Sequence, residues 1–140
     1  MLLGKFAARG TGVLALAGML GACATTPGVS TPSVAVANRS AVIARADARG
    51  ALLVRGDLDA AYAYLSEGSK AVISLDNFKR RMGVVTFTAY RVDDASCDAE
   101  SCKVQAKMTY DHRVMKGVTT PVTETWVVER GGLYFVFPPI

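Results

Sequence analysis

The sequence predicts an α+β domain in which N-terminal helices pack on a curved four-stranded antiparallel meander. Three observations predict it. Apolar residues recur every three or four positions up to Met82, then every second position after Gly83. Capping residues precede the helical stretches and glycines follow them. Gly131-Gly132 separates two short β-rich runs, as a two-residue hairpin turn does.

The first helix starts at Arg39, with Asn38 or Ser40 as its cap. Val42, Ile43, Ala46, Gly50, Leu53 and Val54 form its apolar stripe, and Gly56 ends it. Arg39, Arg45, Arg49 and Arg55 are read as its solvated face. Gly50 costs about 1 kcal/mol against alanine in mid-helix, and either permits close packing or is tolerated. Asp57 caps a second helix through Leu58, Ala61, Tyr62 and Leu65, ending at Gly68. Ser74 caps a third through Leu75, Phe78 and Met82, with Lys79, Arg80 and Arg81 where cations suit the helix dipole.

The expected strands are Val84–Val92, Cys102–Val114, Val122–Arg130 and Leu133–Phe137. In the second, Val104, Ala106, Met108 and Tyr110 share one face, and Lys103, Gln105, Lys107 and Thr109 the other. A turn at Gly131-Gly132 pairs Trp126 with Phe137 and Val128 with Phe135 on the core side. It pairs Val127 with Val136 and Glu129 with Tyr134 on the other. That second face is partly apolar, which implies a covered or oligomeric surface.

The first 22 residues read as a secretory signal peptide. Lys5 and Arg9 precede a ten-residue apolar run, Thr11–Leu20, which is too short to span a bilayer. Leu20-Gly21-Ala22-Cys23 resembles a bacterial lipobox. The resemblance implies cleavage before Cys23, a diacylglyceryl thioether on it, and acylation of the new N-terminus. Ala24, where an aspartate typically retains such proteins at the inner membrane, implies the periplasm-facing surface of the outer membrane of a Gram-negative cell. Residues 23–38 are expected to be a lipidated cysteine and a flexible tether, with a reach of roughly 20 Å. The folded domain is assigned to 39–140.

Composition excludes several classes. One histidine and three cysteines cannot build a multi-histidine or four-cysteine metal site, so no metal is assigned. Without Lys5 and Arg9 the mature chain has 14 basic against 12 acidic residues, a net charge of +2. No basic stripe with interleaved aromatics is present, so no nucleic-acid partner is assigned. No phosphate loop, dinucleotide fingerprint or nucleophile elbow occurs, and no cofactor is implied. Cys97 and Cys102 remain for a disulfide closing a strand turn. Free thiols or a redox pair are the alternatives, though a redox motif normally has two intervening residues rather than four.

Leu52–Ser66, Ser74-Leu-Asp-Asn-Phe78 and Glu124–Tyr134 resemble, in order, the opening helices and closing hairpin of nuclear-transport-factor-2-like domains. The resemblance covers about Arg39 to Phe137. It implies a sheet wrapped round a long helix to leave a conical pocket, lined here by Tyr62, Phe87, Met108, Tyr110, Trp126 and Phe135. Some members are ketosteroid isomerase- or cyclase-like enzymes, and many are non-catalytic binding or assembly modules. The enzymes need an acidic base in the cone. A short turn near Val118 would set His112 opposite Glu124, as a general base with an orienting carboxylate or as a structural cross-strand ion pair. The structural reading is preferred. The expected function is a lipid-anchored, non-catalytic envelope module; the alternative is an isomerase- or cyclase-like enzyme on a small apolar substrate. Expected partners are outer-membrane lipid through acylated Cys23, a second copy or an envelope protein on the Val127/Tyr134/Val136 face, and a small apolar ligand in the cone.

Overall fold

The computed structural model describes residues 37–139. The expected signal peptide, Cys23 and the expected tether up to residue 36 lie outside the described residues. Four helices precede four strands: α1 (Arg39–Arg55), α2 (Leu58–Tyr62), α3 (Glu67–Val72), α4 (Leu75–Met82), β1 (Thr86–Cys97), β2 (Ser101–Asp111), β3 (Val118–Glu129) and β4 (Gly132–Val136). The strands form one open antiparallel sheet in the order β1-β2-β3-β4. The α+β class and the meander are therefore as the change of period indicates.

Local chemistry explains the helix ends. The Asn38 side chain accepts a hydrogen bond from the Ala41 amide at 2.7 Å, and Gly56 closes α1 in the left-handed region at φ 73°. Asp57 and Ser74 cap α2 and α4 as expected. The second expected helix is instead two. The chain leaves α2 at Tyr62, and Tyr64–Ser66 runs beside β4: the Phe135 amide donates to the Tyr64 carbonyl and the Ser66 amide to the Phe135 carbonyl, both at 2.8 Å. Ser66 then caps α3 through the Ser69 amide, and Gly68 lies inside that helix rather than ending it. Backbone pairing with β4, invisible in a local pattern, wins over continuing the helix.

The first and third strands run longer than the sequence suggests, whereas β2 stops at Asp111 rather than Val114, where the loop to β3 begins. β1 continues to Cys97 because its outer half pairs with β2 up to the Cys97–Cys102 disulfide, whose cysteines face each other across the strands. Register shifts between Phe87 and Ala89, and between Val92 and Asp94, interrupt the alternation that would have marked it. β3 begins at Val118, before Pro121. β4 pairs only with Thr125–Glu129, so β3 is an edge strand at Pro121 and a missing amide is tolerated there.

The closing hairpin turns one residue earlier than expected. Arg130 (φ 47°) and Gly131 (φ 74°) form the turn, and Glu129 faces Gly132. Trp126 therefore faces Phe135, not Phe137, and Val128 faces Leu133. The physical reason is on the inward face: the expected register would set Arg130 opposite buried Leu133, placing a guanidinium among core side chains. The shift is two residues in pairing, so each side chain keeps its face.

The core lies between the helices and the inward sheet face. Val42, Ala46 and Leu53 of α1 are buried against the sheet. Neighbouring rings link α2 and α4 to β4 and β3: Tyr62–Phe78 at 5.5 Å, Phe78–Phe137 at 5.4 Å, Phe137–Phe135 at 6.2 Å and Phe135–Trp126 at 5.7 Å between centroids. Gly50 has a specific role. A Cβ there would sit 2.1 Å from Tyr90 Cδ1, so the absent side chain lets the Tyr90 ring lie directly against α1. The outward Val127 and Val136 share a groove of about 350 Å³ with Ser66, Gly68, Ser69 and Val72, which partly covers the apolar face seen in the sequence.

Gly50→Ala should lower stability in urea unfolding by about 1–3 kcal/mol through overpacking. A gain of about 1 kcal/mol, as an unobstructed helical glycine would give, would show that Tyr90 does not rest there. Replacing Cys97 and Cys102 together with serine should cost about 2 kcal/mol for so short a loop.

Candidate functional site

The feature with the most concentrated chemistry is a buried charge cluster between α1 and β3. The α1 stripe that carries Val42, Ala46 and Leu53 also carries Arg49, which is 2% exposed. Inward parity on β3 places Glu124 beside Trp126, and Glu124 is 4% exposed. Arg49 Nη1 donates to Glu124 Oε1 at 3.0 Å, and Trp126 Nε1 donates to Glu124 Oε2 at 3.0 Å. The Arg49 guanidinium also lies 3.9 Å from the Phe135 ring centroid. Both carboxylate oxygens are thus engaged. Arg49 Nε and the Tyr90 hydroxyl are buried without a hydrogen-bond partner.

The electrostatics follow from burial. Desolvation lowers the Arg49 pKa, against the pull of Glu124 and Tyr90. Burying this cation therefore costs more than its partners return, the usual balance for an ion pair in a core. Tyr90 is pushed well above its ordinary value, first by burial and then by the nearby Glu124 charge. Its hydroxyl stays protonated in the folded protein.

This geometry corrects the arginine assignment. Arg49 is not on a solvated face. Arg45 is only half-buried, donates Nε to the Leu133 carbonyl at 3.2 Å, and lies 4.3 Å from the Tyr64 centroid. It also corrects the proposed His112–Glu124 pair. Glu124 faces Val104 on β2, and His112 lies beyond the end of that strand. The eight residues from Val104 to His112 span about 26 Å of strand. The β2–β3 connection is longer than supposed: Tyr110 faces Val118, and the intervening residues form a loop.

The six residues expected to line a pocket are spread through the packing of the core. Phe135 lies under Arg49, with Trp126 tilted against it. Phe87 touches the Tyr110 ring at 6.5 Å and borders a groove of about 260 Å³ with Leu53, Leu58 and Met82. Tyr62 packs on Phe78 and donates to the Ile73 carbonyl at 2.9 Å. Met108 and Tyr110 are partly buried beside the core. Arg49, Glu124, Trp126 and Phe135 are buried in contact with one another rather than lining an open pocket.

The sequence carries a signal for the burial of Arg49. It follows Ala46 by three residues and precedes Leu53 by four, inside the apolar stripe. Glu124 has the parity of Trp126, and an inward carboxylate demands a cation.

Among the described residues, no group of three His, Cys, Asp or Glu side chains is placed to hold a metal ion. The acidic residues near the Cys97–Cys102 turn are otherwise engaged: Asp94 pairs with Arg39 at 2.7 Å, Asp93 with Arg91 and Lys107, and Asp98 accepts from the Glu100 and Ser101 amides.

Comparisons with known proteins bear on the fold. No family model matches the chain, and no curated protein matches it. Among solved structures the chain is similar to the solution structure of a SEC-C motif containing protein from Rhodopseudomonas palustris. The TM-score is 0.56 at 17% sequence identity, over 64% of this chain and 70% of that one. A likeness at this identity concerns the fold alone. It overturns the nuclear-transport-factor-2-like domain in the expected outer-membrane lipoprotein with such a domain, since the described part of the chain shares its fold with a protein of another description; the lipobox itself lies outside the described residues, and the likeness does not reach it.

Arg49→Met and Glu124→Leu should each destabilise by about 3–5 kcal/mol, because each strands one buried partner. Arg49→Met combined with Glu124→Leu should cost less than either single change, as read in a double-mutant cycle. Tyr90 adds a pH signature. Above about pH 10 the unfolded chain releases the Tyr90 proton and the folded chain keeps it, so stability falls by up to ~1.4 kcal/mol per pH unit. Tyr90→Phe should flatten that alkaline slope.

Proposed function

We propose that this chain is a lipid-anchored envelope module whose folded part binds or assembles rather than catalyses. The observation that carries the second half is the state of Glu124. A general base needs access to the substrate proton and a charge that is not already committed to a partner. Both Glu124 oxygens accept hydrogen bonds, Arg49 neutralises its charge, and the residue is buried. With His112 some 26 Å away along the sheet, the acid–base pair behind the enzymatic alternative loses its second member.

The anchor rests on residues alone. Lys5 and Arg9, the Thr11–Leu20 apolar run and Leu20-Gly-Ala-Cys23 fall in the order that processing and acylation require. Two or three acyl chains hold a domain of this size on a bilayer, since each buried CH₂ contributes about 0.8 kcal/mol. Ala24 favours the periplasm-facing leaflet of the outer membrane. Among the described residues no helix is long and apolar enough to cross a membrane.

The test is the intact mass of the chain recovered from a Gram-negative host membrane. The expected species begins at Cys23 and carries acyl mass that Cys23→Ser abolishes. A chain beginning elsewhere, or an unmodified Cys23, would remove the anchor.

A further inference from the structure

One end of the molecule gathers exposed apolar side chains among unpaired cations. Of the five large apolar residues exposed among the described residues, four lie there: Val54 (37%), Val84 (64%), Val114 (83%) and Met115 (53%). They come from three places in the chain: the last turn of α1, the residues after α4, and the β2–β3 loop. Two adjoining hollows that share Gly83, Val85 and Thr86 bring the three segments to one end, with Val114 and Met115 next to the second hollow in the chain. One of about 260 Å³ joins Val54 and Arg55 to Gly83, Val85, Thr86 and Phe87. The other, of about 220 Å³, joins Gly83–Thr86 to Asp111–Arg113 and Lys116.

The loop apex is preorganised. The His112 amide donates to the Met115 carbonyl at 2.7 Å, and the Met115 amide to the His112 carbonyl at 3.2 Å. This tight closure holds Arg113 and Val114 out at the tip. Asp111 accepts from the Gly117 amide at 2.8 Å and lies 3.5 Å from Lys116, so its charge is turned inward. Asp57, next to Gly56, is taken up in capping α2. Arg55 and Arg113 make no ion pair among the described residues.

We propose that this end, built on Val114, Met115, Val84, Arg55 and Arg113, rests on an anionic lipid bilayer surface. Apolar side chains on a projecting apex, flanked by free cations, match an interface where hydrocarbon lies just beneath anionic headgroups. A protein partner fits less well, since a standard interface takes about 800 Å² of surface per partner rather than one tip. The contact adds to the lipid anchor proposed above and does not require it. The two are compatible: the 14 residues from Cys23 to Ala37 extend at most about 50 Å, whereas α1 is about 25 Å long.

The test uses the full chain carrying Val114→Trp, with the parent chain as baseline, since native Trp126 is fully buried. Vesicles of brominated phosphatidylglycerol with phosphatidylethanolamine are compared with brominated phosphatidylcholine. The added indole should be quenched and blue-shifted in the anionic vesicles. Combining Arg55→Glu with Arg113→Glu should weaken that quenching about tenfold, and molar salt should reduce it. An indole that stays in water while the chain floats with the vesicles overturns this contact and leaves the anchor standing. Quenching of a chain with unmodified Cys23 does the reverse. An emission shift that follows protein concentration without vesicles assigns the tip to a second copy and overturns the proposal.

Discussion

The Arg49–Glu124 pair is the constraint on which the rest of the arrangement depends. It joins the middle of the longest helix to the third strand at the centre of the core. A slip of α1 by one residue would swing Arg49 about 100° away and leave a buried carboxylate without its cation. Such a pair contributes little net stability, because desolvation consumes the attraction. Its effect is selective: it makes every other seating of α1 on the sheet more costly. Trp126 and Phe135 complete the site by closing the second carboxylate oxygen and the guanidinium face.

Several features elsewhere follow from that seating. The body of α1 lies along β1 while the Arg49 side chain reaches across to β3, and against β1 only a glycine at position 50 leaves room for Tyr90. Phe135 beneath Arg49 is held by backbone bonds to Tyr64 and Ser66, which divide the helical segment after α2. Ser66 is drawn into that pairing and also opens α3. The edge of β4 is thereby covered, which limits edge-to-edge association there. The interior is thus committed to packing, and the surfaces left for interaction lie on the outside of the molecule.

Surface and interior divide the chemistry. The interior charges pair with each other, with Arg49 Nε left without a hydrogen-bond partner, while the β2–β3 loop end exposes Arg113 beside Val114 and Met115. The likeness to a solved structure at 17% identity places the chain by fold and leaves its role to be argued from these residues.

The sequence by itself determined the elements whose signals are local. The change of period at Gly83, the caps at Asn38, Asp57 and Ser74, and the alternation of Val104, Ala106 and Met108 each report a nearest-neighbour preference. The Cys97–Cys102 pair was legible as one of several alternatives, and the strand register closed it. What lies between elements was decided only in three dimensions. Arg49 and Glu124 are 75 positions apart, and no spacing rule links them. The turn at Arg130-Gly131 was chosen by what Leu133 meets across the hairpin, not by the Gly-Gly pair. Tyr64–Ser66 left the helix because β4 offered hydrogen bonds from more than 60 residues away. Propensities act over a few residues, whereas burial and pairing act over the whole chain, and where the two competed the long-range term won.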